Sequence, residues 1–335
     1  MTGLPSSPHD QAIPPPPLQA WLARAVIRLG DIHRRVFAAC IGIVGPRLAY
    51  SATGLLARLL YALLTPIRER SEGQCAAALH RCVPTKRIPS IAEKSFIHRV
   101  WNLTDLYLAD RLLHSGTYHR YGGRIASAHL DRILDVQRRR QPVILLTAYY
   151  GPFDLLPVFL GFNGIRAGVV YRRHDNPAFD AYRRRIRGRS GCEMIPLESA
   201  AKRLAAILDE GGAVALVVDH HAERRGMAVT FLGLPTVVAR SVGLLAWRYD
   251  ADLVVAGIRR VDDAFRFQLI VSDILDHEEW RRTEDPVVFI TEYYLRSLEG
   301  LILRDPTQYL WAHPRWGRAF ARRIVAAGSD GTTGG

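Results

Sequence analysis

From residue 143 onward, short apolar runs alternate with segments of helical period. Val143–Leu146 is uninterrupted and β-branched at its start, which fits a strand buried on both faces. Gly168–Tyr171, Met194–Leu197, Ala213–Val218 and Leu253–Ile258 repeat that pattern, and Ala228–Leu232 adds a further short run. Ala213–Val218 is wholly apolar, so it reads as a central strand. Between these runs the apolar positions recur at helical spacing over Leu155–Leu160, Pro177–Arg189, Ala200–Leu208, Arg240–Tyr249 and Val287–Leu303. Gly211-Gly212 ends the third of these helices. Phe265–Val271 alternates in character and follows the turn at Asp262-Asp263, as an antiparallel edge hairpin does. The alternation predicts an α/β fold: a mainly parallel, mixed sheet flanked by helices.

The first 140 residues read differently. Leu18–Ile67 is apolar and helical in period, with Arg24, Arg28, Arg34, Arg35, Arg47 and Arg58 spread through it. A membrane-spanning helix needs about 20 mostly apolar residues, and these arginines interrupt every longer run. The segment therefore reads either as interfacial helices whose arginines reach for headgroups or as core helices. A tilted span over Ala49–Ile67 is a further option. Gly45-Pro46 is expected to separate two helices. Arg68–Arg140 is polar and helical, with starts expected at Ser71-Glu72 and at Ser90, where Glu93 completes a capping-box spacing. The stripe Trp101, Leu103, Leu106, Leu108 and Leu112 reads as core. Residues 1–17 are Pro- and Ser-rich and 326–335 Gly-rich, so both are expected to be disordered. The expected organisation is a helical region over 18–140 and an α/β domain over 141–325.

Charge narrows the partners. The 335 residues carry a net charge of +13. That favours anionic partners such as phospholipid surfaces, an acidic carrier protein or coenzyme phosphates. No helix-turn-helix, zinc or RNP-like string supports nucleic acid. The four cysteines form no CxxC pair, so neither zinc nor a disulfide framework is indicated, and a reducing, cytoplasmic setting fits.

The chemistry is expected where the first strand ends. Tyr149-Tyr150-Gly151-Pro152 breaks the apolar run, and Asp154 stands at the expected start of the next helix, a favourable place for a carboxylate. Open α/β sheets place their sites at such strand ends. The string TAYYGPFDLL resembles the first acyltransferase block of the lysophospholipid acyltransferase superfamily, and within it the lauroyl/myristoyl acyltransferases of lipid A biosynthesis. Thr147, Ala148, Gly151 and Asp154 match that block; Tyr149 occupies the position of the family's catalytic His. Four more strings follow in family order: VVYR with Asn176-Pro177, VVDHHAERRG, TFLGLP and YLWAHPRW.

The resemblance implies a glycerolipid acyltransferase-like sheet with an N-terminal membrane-associating region, at the cytoplasmic face of the inner membrane, peripheral or single-span. It implies transfer of a fatty acyl group from acyl carrier protein or coenzyme A to a lipid hydroxyl, without metal or other cofactor. In the family the His takes the hydroxyl proton and the acidic residue, here Asp154, orients it. A phenol, with a pKa of about 10, is a poor base. Three readings stay open: His220 or His221 supplies the base, with His174 as a weaker candidate; Tyr149 only positions the substrate; or the protein binds lipid or carrier without turnover. Adjacent side chains in an extended segment point to opposite faces, so at most one of His220 and His221 can face the site. By resemblance, Arg172 meets phosphate or the oxyanion, and Asp219 orients an arginine or the loop backbone. Gly151, Gly233 and Pro235 shape the site. Arg183, Arg184, Arg185, Arg187 and Arg189 are expected to form a basic landing face for anionic lipid or carrier.

Overall fold

The computed structural model describes residues 43–317 apart from 123, 124 and 223–225, together with 39 and 41. The expected disordered ends, Arg24, Arg28, Arg34, Arg35 and Cys40 lie outside the described residues.

The expected alternation is present. Strands β1 (Val143–Thr147), β2 (Ala167–Tyr171), β3 (Glu193–Pro196), β4 (Ala213–Val217), β7 (Asp252–Arg260) and β8 (Phe267–Leu275) form one six-stranded sheet in the order β3-β2-β4-β1-β7-β8. All neighbours are parallel except β7 and β8, whose antiparallel pairing makes the expected edge hairpin. Strands β5 (Gly226–Phe231) and β6 (Leu234–Ala239) form a separate hairpin. Its two-residue turn has Leu232 at φ +50° and Gly233 at φ +74°, which is the positive-φ pair that a tight hairpin requires.

Strand β1 shows why its run is continuous. Val143 and Leu145 join one core, with Tyr50, Phe96, Trp101 and Phe159; Ile144 and Leu146 join the other, with Leu204, Ile290 and Leu298. Alternate side chains leave opposite faces of a strand, so a strand covered on both sides has no polar position to spare. The covering helices are α1 (Ile43–Leu63), α3 (Ile88–Leu112), α5 (Leu156–Phe162) and α6 (Pro177–Arg187) on the first side. On the second lie α2 (Thr65–Leu79), α7 (Ala200–Asp209), α8 (Ser241–Tyr249) and α10 (Pro286–Arg304). Helices α4 (Ser127–Arg138) and α9 (His277–Trp280) complete the order.

Three boundaries differ from expectation. Gly45 and Pro46 lie inside α1, where Gly45 takes φ +78°, and the sharp bend, 91°, falls instead between α1 and α2. Ser71 sits within α2, its hydroxyl donating to the Ile67 carbonyl, and Ser90 caps nothing. The starts of α2 and α3 are set by Pro66 and Pro89 in their first turns, where proline's fixed φ helps and its missing N–H costs nothing. No single described helix is long and apolar enough to cross a membrane; the bent α1–α2 pair passes that test only jointly.

Candidate active site

The parallel strands all end on one edge of the sheet, so the loops after β1, β2 and β4 emerge together. After β1 the chain turns through Gly151 at φ +56°; a Cβ there would lie 1.9 Å from the Ile258 carbonyl oxygen. Gly151 also donates to the Gln308 carbonyl (2.8 Å), and its own carbonyl accepts from Asn102 (2.8 Å). The glycine is thus enclosed by backbone, and its part in the site is to let the loop pass.

That turn presents Tyr149. Its backbone N–H donates to the Asp219 carboxylate (3.1 Å) at the end of β4. Its hydroxyl lies 3.3 Å from Nε2 of His220, with the two rings nearly parallel. A second imidazole, His313, stands edge-on to Tyr149 at a centroid distance of 5.1 Å and 5.7 Å from His220. His313 arrives on the C-terminal segment, which pairs with the loop backbone through Tyr150 and Tyr309, with Leu310 N–H donating to the Tyr149 carbonyl (3.0 Å). Gln74 of α2 holds this segment by donating to the carbonyls of Trp311 and His313 (2.6 and 2.9 Å). Burial pushes the Tyr149 phenol up and the Asp219 carboxylate adds to it, against the pull of Arg187, Arg99 and Arg183. Burial lowers the pKa of His313, against the pull of Asp219, and so favours the neutral imidazole.

Asp154 is arranged otherwise than its motif implies. It lies in a short 3-10 turn ahead of α5, caps no helix, and is buried between the guanidiniums of Arg187 and Arg183 (3.2 Å for the latter). The run of arginines on α6 divides by helical spacing. Arg183 and Arg187, four residues apart, turn inward to Asp154. Arg185 and Arg189, again four apart, reach Asp110 on α3 at 2.7 and 3.4 Å. Only Arg184 of the five is exposed without an ion pair among the described residues. The expected basic landing face is therefore largely consumed by internal pairing.

The family described as bacterial lipid A biosynthesis acyltransferase matches residues 24–318, most of the chain. The chain belongs to that family. No curated protein matches it in a sequence comparison. As a family member the protein is an acyltransferase, acting on a lipid acceptor. Tyr149, His220 and Asp219 are brought together. His221 is not: it turns to Thr236 of β6 (3.4 Å), as alternation in an extended segment requires. His174 closes its own loop, accepting from Asn176 N–H (3.0 Å). Arg172 is exposed at the end of β2, separated from β1 by β4, roughly 10 Å across the sheet. The same region also holds His313, Tyr309, whose hydroxyl faces Asp219, and Arg187, which the sequence reading placed only within the YLWAHPRW string and on the basic face. It is the long-range pairing of residues 308–310 with the Tyr149 loop that brings His313 beside Tyr149.

Proposed function

We propose that this acyltransferase moves a fatty acyl group from a thioester, acyl carrier protein or coenzyme A, to the hydroxyl of a lipid A- or phospholipid-type acceptor, with His220 as the terminal base and Tyr149 as a proton relay. The hydrogen bond between Tyr149 and His220 carries this reading. A phenol whose pKa is raised stays protonated near pH 7 and does not act as a base alone. Bonded to an imidazole, it takes the acceptor's hydroxyl proton while passing its own to Nε2. The alkoxide attacks the thioester carbonyl, the C–S bond breaks, and the imidazolium returns the proton to the leaving thiolate. The products are ester and free thiol.

The test is thiol release that requires an added lipid hydroxyl. Tyr149→Phe and His220→Gln are each expected to slow it about 100-fold. Tyr149→His is expected not to restore a direct base, because Asp154, which would orient that imidazole, is already held by two arginines. Thiol release unchanged in both Tyr149→Phe and His220→Gln would remove the assignment. No release across a panel of donors and acceptors would favour a silent lipid-binding relative, a reading that the sequestered Asp154 supports.

The location we propose is the cytoplasmic face of the inner membrane, held through α1. Ile43, Leu48, Leu55, Leu59 and Leu63 of that helix are exposed. An uncovered apolar face on a chain of net charge +13 suits an anionic bilayer surface.

A further inference from the structure

Two imidazoles flank the Tyr149 ring, and the proton relay uses one of them. His220 is exposed and stacked on the phenol. His313 is half-buried and edge-on to the same ring at 5.1 Å, with 5.7 Å between the two imidazole centroids. Hydrogen bonds fix the backbone around His313. Its carbonyl accepts from Gln74 Nε2 (2.9 Å), and Gln74 Oε1 accepts in turn from the Arg315 N–H (3.1 Å). Its own N–H donates to the Leu310 carbonyl (3.1 Å). Gln74 is 1% exposed, so this clamp belongs to the interior. The ring that it places makes ring contacts only: neither nitrogen bonds to a described residue. A neutral imidazole carries one N–H donor, and here it is left to spend on whatever enters beside Tyr149.

The reaction creates a charge that the relay does not meet. Attack on a thioester drives negative charge onto its carbonyl oxygen, and that oxygen needs a donor. Arg172, which the resemblance gives this task, is exposed on a strand two places from β1. Arg183 and Arg187 are ion-paired to Asp154.

We propose that His313 is a catalytic residue of the acyl transfer: as a neutral imidazole it donates a ring N–H to the thioester carbonyl oxygen, while His220 carries the proton. The surroundings suit that division. Burial holds His313 back from charging, and a proton on His220 holds it back further. A cation at His313 would oppose the imidazolium that forms on His220; a neutral donor does not. No proton leaves His313. As the alkoxide adds, the carbonyl π pair moves onto the oxygen held by this N–H, and it returns to re-form C=O as the C–S bond breaks. The assignment rests on the acyl-transfer reading and adds to it a second imidazole with a different task.

The experiment is steady-state thiol release across pH, with lipid hydroxyl added, for the full chain and its His313 variants. His313→Phe keeps a ring for packing and removes the N–H. Its kcat is expected to fall about 100-fold, with KM within about threefold and the shape of the pH profile kept. His313→Gln retains an N–H donor and is expected to recover about tenfold of that loss. His313→Ala, smaller than the native ring, gives the same reading as His313→Phe where phenylalanine does not fit. An unchanged kcat without the imidazole overturns the assignment. A flattened pH profile overturns it too, because His313 would then be the base in place of His220. Equal losses in His313→Phe and His313→Gln also overturn it, since a donor then makes no difference. Absence of thiol release in the wild type removes the acyl-transfer reading and this assignment with it, whereas a wild-type rate that His313→Phe leaves intact removes this assignment alone.

Discussion

His98 is 5% exposed, its ring against Trp101 at 5.4 Å and its Nδ1 without a partner among the described residues. Burial, with Arg260 and Lys94 adding to it, drives its pKa down to about 2. The unfolded chain has an ordinary imidazole near 6.5. Below that pH the unfolded state takes up a proton that the folded state refuses, so stability falls with acidification at up to about 1.4 kcal/mol per pH unit from this group. Its contribution is complete above pH 6.5 and is lost progressively below. Urea midpoints between pH 7 and 5 are expected to fall more steeply for the wild type than for His98→Gln, by about 2 kcal/mol over the range. At this scale the sequence carried only part of the message. Tyr149 is visible as a departure from a known string, and Asp219 and His220 as residues at a strand end. The partnership of Arg187 with Asp154 is not visible, because it joins positions 33 residues apart through the facing of one helix.

The elements were the most legible layer, since most strands are written as an apolar or alternating run between turn residues and the helices between them keep one period; β6, whose run Pro235 and Thr236 interrupt, is the strand that was not expected. Helix starts were misread because serine and glutamate spacing was weighed above proline, and proline decides the first turn in both α2 and α3. The loop after β1 is where element and site meet. Gly151→Ala is expected to cost at least about 3 kcal/mol, because the added carbon meets the Ile258 backbone, which cannot rotate away. Thermal unfolding measures the loss. Thiol release should fall with it even at temperatures where the variant remains folded, since Tyr149 rides on that turn.

At the scale of the molecule, α1 has one buried and one exposed apolar face. Tyr50 and Ala57 are buried in the core while Leu48 and Leu59 stand 63% and 56% exposed. Sinking a leucine into an apolar medium is worth about 1.5–3 kcal/mol. Replacing both by aspartate is therefore expected to weaken binding to vesicles of phosphatidylglycerol and phosphatidylethanolamine by tenfold or more in a flotation assay, with the unfolding temperature unchanged. Retained binding would place the membrane contact elsewhere.

The inner side of α1 has a practical consequence. Tyr50 bonds Asp105 of α3 and the guanidinium of Arg260 on β7, and that guanidinium, fully enclosed, sits against the rings of Tyr50, Trp101 and Phe267. Trimming the greasy leading segment to obtain a tractable fragment would pull the stopper from this ion pair and flood it. The first helix is a lid on the interior, and a shortened enzyme would be expected to precipitate rather than dissolve.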